Sequence, residues 1–378
     1  MKKTRILFGL EAAAGGALKH LSYLVTHLDR ERFDITVIIS PRSEESFEVI
    51  ENMRQAGACV ILVKMFRDIQ IFRDIKGLWK IYRHMSANRY DVVHAHSSKA
   101  GFYFRVAAWL NRIPCIYTPH CFYYQSKKGL PRKVFAWIER ALARITKYIV
   151  VSLSEFTSAA ELHIAAPGKL LNINNAIKLS DYSFGDASAI KKEMGIVDGR
   201  IVIGAIGRLV EQKDWITYIY AAAEVLRQHQ DAVFLIVGGG DLNHYLTSLI
   251  RNLELEDKIM LTGHYDKISN IYTVIDIFVN TSLWEGLPYV LLEAMWYKRP
   301  IITTNLGYDN IITDKENGYL IPIRDPAILT RKILELIRNE TSRKLMGEKS
   351  RNVILNDFSF RSFVTKHEQL YTEVCRRT

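Results

Sequence analysis

Cysteine is scarce in this chain. There are four in 378 residues, Cys59, Cys115, Cys121 and Cys375, and none falls in a Cys-x-x-Cys pair. That spacing excludes a zinc ribbon and a disulfide framework and fits reduced thiols in a cytoplasmic protein. Long apolar runs are missing as well. No stretch approaches the roughly 20 residues that a membrane-spanning helix needs. The opening run at 6–10 is broken by Glu11, which reads as a first strand and not as an export signal. No Gly-x-Gly-x-x-Gly follows an early strand-like run, which disfavours a dinucleotide-dependent dehydrogenase. No Asp-x-Asp ends a strand, so no metal is required, and no repeat or low-complexity segment is visible.

What is present is an ordinary globular composition, 48% apolar and 24% charged. The length exceeds what one core usually serves, so two domains are expected, with a boundary near Lys178: residues 1–178, then 179–357, then a helical tail from 358 that crosses back to the first domain. The net charge of +11 belongs to the first half. Residues 1–178 hold 27 Lys and Arg against 14 Asp and Glu, whereas the remainder is slightly acidic. Such a split serves nucleic-acid binding or attachment to an anionic membrane. No nucleic-acid-binding module is present, so the expectation is a peripheral contact with an anionic membrane face. The excess clusters at 67–83 and 127–140, where Lys and Arg alternate with Trp, Phe and Tyr at near-helical intervals, the pattern of an interfacial helix. A solvated helix resting its apolar side on a sheet would look similar.

Strand-like runs at 4–10, 35–39, 59–63, 92–94, 115–118 and 148–151 alternate with helical patterns, and the alternation restarts at 201–206, 233–237, 259–261, 275–279 and 300–303. This predicts an α/β protein with two doubly wound parallel sheets. Ligands of such sheets sit at the carboxyl ends of strands. Several candidates stand there. Gly15 and Gly16 follow the first strand in a small-residue loop at 11–17, open to close approach by a phosphate and equally to a plain tight turn. His94, His96, Ser97 and Lys99 follow the fourth, and His120 the fifth; a histidine so placed is also a common structural residue. In the second half, Arg208 and Lys213 precede a helix and form a plausible diphosphate clamp.

The centre of the pattern is Glu285-Gly286-Leu287-Pro288-Tyr289-Val290-Leu291-Leu292-Glu293, which turns from a strand-like run into a helix near Pro288. Free amides and the positive end of that helix favour an anion. Side chains lean toward a helix amino terminus, so Glu293 should tilt back toward Glu285.

This Glu-(seven residues)-Glu string closely resembles the signature of retaining GT-B glycosyltransferases of family 4. The phrase Val92-Val93-His94-Ala95-His96-Ser97-Ser98-Lys99-Ala100-Gly101, followed by Tyr117-Thr118-Pro119-His120, is similar to family members that build bacterial surface polysaccharides. The resemblance implies a GT-B architecture of two Rossmann-like domains facing a cleft. It places Gly15, Gly16, Arg208 and Lys213 at the donor diphosphate, and Gly263, His264 and Tyr265 at the nucleotide base. Glu293 would hold the ribose and Glu285 and His120 the sugar, with Gly286, Leu287 and Tyr289 lining the donor site. Glu285, His120, Arg208 and Lys213 become the catalytic candidates, and His94, His96, Ser97 and Lys99 the acceptor side. Five positions depart from the family pattern: Cys121 and Asp214 stand where Gly is usual, Asp214 fitting equally well as a helix N-cap, Ala176 replaces the Gly of an Asn-Gly linker, and Tyr308 and Asn310 stand in a region that often has Gly-Gly and a later Glu.

The activity implied is transfer of a hexosyl or N-acetylhexosaminyl unit from a UDP- or GDP-linked donor to a lipid-linked oligosaccharide, for capsule, O-antigen or exopolysaccharide, by a cytoplasmic protein held peripherally at the inner face of the bacterial cytoplasmic membrane. The nucleotide sugar is a co-substrate and no cofactor is implied. Two competing readings are another GT-B sugar-nucleotide enzyme such as an epimerase, and a noncatalytic basic adaptor for membrane or nucleic acid.

Overall fold

A computed structural model describes residues 2–41, 44–66, 70–308 and 311–376. Arg67 of the first basic cluster and Asn310 lie outside them. The chain divides into two compact units, Met1–Asn175 with Arg361–Thr378, and Ala176–Phe360.

The first unit alternates strand and helix: β1 (Thr4–Ala13), α1 (Gly15–His27), β2 (Phe33–Pro41), α2 (Glu44–Gln55), β3 (Cys59–Leu62), α3 (Ile71–Ala87), β4 (Val92–His96), α4 (Ser98–Leu110), β5 (Cys115–Thr118), α5 (Gly129–Arg144), β6 (Tyr148–Val151), α6 (Leu153–Glu161) and β7 (Leu170–Asn172). The second contains α7 (Ala187–Glu193), β8 (Ile201–Ile206), α8 (Trp215–Gln228), β9 (Ala232–Val237), α9 (Asn243–Asn252), β10 (Ile259–Gly263), α10 (Ile268–Val274), β11 (Ile277–Asn280), α11 (Tyr289–Trp296), β12 (Ile301–Thr304), β13 (Gly318–Ile321), α12 (Pro326–Arg338) and α13 (Glu340–Asp357). Helix α14 (Phe360–Arg376) returns to the first unit, where Glu368 meets Arg32 and Tyr371 meets His94.

The strand orders are β3-β2-β1-β4-β5-β6-β7 and β10-β9-β8-β11-β12-β13, and the paired strands run parallel. Helices cover such sheets on both faces, which is why β4, β5, β6 and β9 are buried along their whole length and β6 and β9 read as unbroken apolar runs. Each sheet reverses direction once, between β1 and β4 and between β8 and β11. Crevices for ligands open at the carboxyl ends of such pairs.

Three expected boundaries shift. β1 runs past Leu10 through a register irregularity to pair Ala13 with Pro41, so the loop foreseen at 11–17 shrinks to Ala14. β4 continues to His96, which pairs with Leu10 and Thr118. β11 starts at Ile277, because Ile275 instead caps α10 through its N–H to the Ile271 carbonyl.

Helices α3, α4 and α5 lie side by side, with α4 joined to each neighbour by polar contacts. Asp74 on α3 accepts from Tyr103 at 2.6 Å and pairs with Lys99 at 2.9 Å. Arg105 on α4 is fully buried, with Nη1 2.9 Å from Glu139 of α5, Nε donating to the Gly101 carbonyl, and its guanidinium 3.9 Å from the Tyr117 ring centroid. Removing one partner of a buried pair strands the other charge. Glu139→Ala is therefore expected to destabilise the chain by about 3–5 kcal/mol, read as a lowered urea midpoint. A midpoint equal to wild type would show that the pair carries no such weight.

Candidate active site

In the second unit the loops after β8, β9, β10 and β11 interlock. The glycines after β9 make this possible. A Cβ on Gly238, at φ +137°, would stand 2.1 Å from the Gly207 carbonyl oxygen, and one on Gly240 would lie 2.7 Å from the Leu209 nitrogen. Only bare backbone lets these turns approach, and Leu209 N–H then bonds the Gly239 carbonyl at 2.9 Å while Gly238 N–H bonds Gly263 at 2.8 Å. Arg208 projects from this bed and is exposed, its own carbonyl held by the Trp215 indole N–H.

The Arg208–Lys213 loop is stitched to the carboxyl end of β11. Leu283 N–H donates to the Gln212 carbonyl, Gln212 Nε2 to the Trp284 carbonyl at 2.7 Å, and Thr281 Oγ1 to the Lys213 carbonyl. These ties bring Lys213 Nζ to 2.5 Å from Glu285 Oε1, both side chains largely buried. Ser282 Oγ lies 3.2 Å from the same carboxylate oxygen. Asp214 was expected as a helix cap acting through its side chain. It instead takes φ +47°, ψ +51°, gives no side-chain bond to the helix amides, and accepts from the Thr217 hydroxyl. The left-handed backbone explains why glycine is usual there.

Helix α11 begins after Pro288, whose side chain caps nothing. Gly286 is placed by Tyr308, a fully buried residue whose hydroxyl donates to the Gly286 carbonyl at 3.0 Å. Glu293 is buried too: Tyr182 donates to Oε1 at 2.9 Å and Tyr272 to Oε2 at 2.6 Å. Burial first, and then the neighbouring carboxylate, push the Tyr272 hydroxyl well above its ordinary value, so it stays a donor. The sequence gives no sign of these roles for Tyr182, Tyr272 or Tyr308, since their partners lie 21 to 111 residues away. Leu287 and Tyr289 are buried beside them, whereas His264 is exposed and Tyr265 half-buried next to Gly263.

In the first unit, Gly15 (φ +56°) and Gly16 are exposed at the amino end of α1. His120 and Cys121 both take left-handed backbone, at φ +53° and +89°. The Cys121 N–H is fixed by Glu155 Oε1 at 2.6 Å, and the other Glu155 oxygen accepts from Ser152. The ring of His120 is half-buried and shares a 3.0 Å hydrogen bond with His96 Nδ1. Ser97, at φ +67°, has a buried hydroxyl with no hydrogen-bond partner at the end of β4.

Two acceptor-side candidates are otherwise engaged. His94 is fully buried, with Nδ1 against Tyr371 at 2.8 Å and Nε2 against Thr118 at 2.9 Å, so it presents no free ring nitrogen and is a packing residue. Lys99 is tied into the Asp74 pair. His94 and His96 are joined in one buried cluster by His20, His120 and His367.

Burial holds every member of that cluster below the ordinary imidazole value, His20 at about 4 and His367 at about 3. An unfolded histidine titrates near 6.5, so the unfolded state takes up protons first as pH falls. Stability is therefore full above about pH 6.5 and declines as pH drops toward the folded values. Thermal melts from about pH 8 to about pH 4 should show this decline, with a shallower slope in His20→Gln; slopes identical in the two proteins would contradict it.

Residues 14–181 match Glycosyltransferase Family 4 and residues 186–353 match Glycosyl transferases group 1. Among curated proteins, the chain is 29% identical over 357 residues to UDP-Gal:alpha-D-GlcNAc-diphosphoundecaprenol alpha-1,3-galactosyltransferase of Escherichia coli, covering 92% of this chain and 91% of that one. It is 24% identical to the capsular polysaccharide biosynthesis glycosyltransferase CapM of Staphylococcus aureus, covering 82% and 84%. Among solved structures, HepE of Anabaena in complex with UDP and glucose aligns with a TM-score of 0.84 at 18% identity, over 98% of this chain and all of that one. Two family matches in succession, on two parallel-sheet units with the GT-B fold, leave one assignment: the chain belongs to the family 4 glycosyltransferases.

Proposed function

We propose that this glycosyltransferase moves a hexosyl or N-acetylhexosaminyl unit from a nucleotide diphosphate donor to a hydroxyl of a lipid-linked glycan, with retained anomeric configuration, in surface-polysaccharide synthesis. The observation that carries the reading is the Lys213–Glu285 pair beside exposed Arg208, at the carboxyl ends of β8 and β11. A diphosphate offers Lys213 a stronger anion than one carboxylate. On donor arrival the ammonium turns to phosphate, with Arg208 as a forked second donor, and Glu285 is released toward the sugar hydroxyls. Glu293, steadied by two tyrosines, takes the ribose. The base lies against Gly263, His264 and Tyr265, and His120 faces the sugar.

In the reaction the donor C1–O bond breaks and its electrons pass to the departing diphosphate. Arg208, Lys213 and the amides of Gly286, Leu287 and Tyr289 stabilise that charge. The acceptor oxygen bonds C1 from the same side and gives its proton to a donor phosphate oxygen. The names of the relatives support the substrate classes. The Escherichia coli relative is named for UDP-Gal and a diphosphoundecaprenol acceptor, and HepE was crystallised with UDP and glucose. Arg208→Ala and Lys213→Ala should each lower turnover by about a hundredfold, with an α-linked product from an α-linked donor in the wild type. Normal kinetics in both folded variants, or a β-linked product, would refute the clamp or the retention respectively.

The acceptor lipid calls for a membrane face, and α3 and α5 carry one. Among the described residues no helix is long and apolar enough to cross a membrane. Phe72, Ile75 and Trp79 form an exposed stripe along α3, with Phe72 at 89% exposure, and Leu130, Val134 and Trp137 form another along α5. Arg73, Lys76, Lys80 and Arg83 flank the first, and Lys128, Arg132 and Lys133 the second, all exposed. The opposite sides of the helices hold the buried residues Gly77, Ile81 and Met85, and Ala136, Leu142 and Ala143. The apolar residues therefore suit an acyl boundary and the cations suit anionic headgroups. The chain is expected to sediment with anionic vesicles and to be released by salt. At about 1 kcal/mol per cation, replacing Lys127, Lys128, Arg132 and Lys133 with Gln should weaken partition by more than about tenfold. Equal binding to neutral vesicles, or no effect of the substitutions, would argue against this face.

A further inference from the structure

The histidine cluster of the first unit has more ligating capacity than one sugar contact uses. His20 comes from α1, His96 from the end of β4 and His120 from the turn after β5. One ring nitrogen from each lies within 4.8 Å of the others. Centroid separations are 5.4 Å for His20–His96, 4.7 Å for His20–His120 and 5.3 Å for His96–His120. A packed core could tolerate three imidazoles if each spent its polar atoms on neighbours. These do not. His20 Nε2 and His96 Nε2 are buried without a hydrogen-bond partner.

The hydrogen bonding fixes which nitrogen is open on His20. Its Nδ1 stands 2.9 Å from Asn175 Oδ1. An amide oxygen only accepts, so the proton sits on Nδ1 and Nε2 carries an unshared lone pair facing no donor. An amide or carboxylate oxygen behind a ring N–H is the usual support of a metal-ligating histidine, because it fixes the tautomer and aims the lone pair.

We propose that His20, His96 and His120 bind one divalent transition metal ion, of the zinc type. Three imidazoles with a fourth position open is a zinc donor set, and imidazole disfavours oxygen-seeking Mg2+ and Ca2+. Bonds of about 2.0–2.1 Å at tetrahedral angles place ligand nitrogens about 3.4 Å apart, so the rings close by roughly an ångström. Half-buried His120 supplies the entrance and leaves the fourth position for water. The ion is not part of sugar transfer. It occupies the imidazole assigned to the donor sugar, so it inhibits, and that consequence alone rests on the proposed function.

Chelator-treated full-length protein titrated with Zn2+ by calorimetry, and with Co2+ by visible absorption, tests the site. The expected result is one ion per chain, a tetrahedral Co2+ spectrum and three imidazoles by X-ray absorption. His20→Gln, His96→Gln and His120→Asn should each weaken binding by about tenfold or more, and Asn175→Ala by about tenfold through the lost support of His20, while exposed His244→Gln changes nothing. Absence of stoichiometric uptake, or uptake undiminished in the His20→Gln/His96→Gln pair, overturns the proposal. If the buried variants misfold, wild-type absorption data decide, since fewer than three imidazoles around the ion refutes it. Full binding with undiminished transferase activity would leave the metal site standing and overturn the placement of His120 at the sugar.

Discussion

The chemistry of this enzyme depends on a constraint of handedness. A crossover between parallel strands is right-handed almost without exception. A sheet that first grows from β1 toward β3 and then resumes at β4 must therefore put helices on opposite faces of its two halves. The strand order turns back on itself between β1 and β4 and between β8 and β11. Loops leave the carboxyl ends of the strands flanking those points, and Arg208, Lys213 and Glu285 stand on the ones after β8 and β11.

Those loops are then made rigid by means that differ in the two units. In the second, backbone meets backbone: Gly238 and Gly240 admit the Arg208 loop, and Gln212 and Thr281 sew it to β11. In the first, rigidity comes from strained residues braced by buried polar groups, as with His120 and Cys121 held through Glu155. Non-glycine residues with positive φ persist only where their surroundings over-determine them.

Much of this was readable from the chain. Strands buried on both faces leave unbroken apolar runs, and the alternation with helices fixed the class of sheet. Arg208, Lys213, Glu285 and Glu293 were legible because they sit in short strings with characteristic neighbours. What stayed hidden has a common cause. Tyr182 and Tyr272 reach Glu293 from 111 and 21 residues away, and Tyr308 reaches Gly286 from 22. No local pattern encodes such a meeting. His94 shows the converse: its neighbours in sequence suggested an accessible group, and only α14, at the far end of the chain, closes over it through Tyr371. Asp214 was misread because a favoured capping residue there serves a left-handed turn, a backbone property with no side-chain signature.

The return of α14 also sets a schedule for biosynthesis. Its inner face, Phe363, His367, Leu370, Tyr371 and Val374, completes the core around Phe8, Phe33, His20 and His94. That helix is made only after the whole of the second unit. At about 5–20 residues per second, the first unit waits roughly ten to forty seconds on the ribosome with an apolar groove open. The second unit, continuous from Ala176 to Phe360, can close on itself meanwhile. The nascent chain thus presents a finished second unit and an unfinished first one. Holdase chaperones recognise just such a groove.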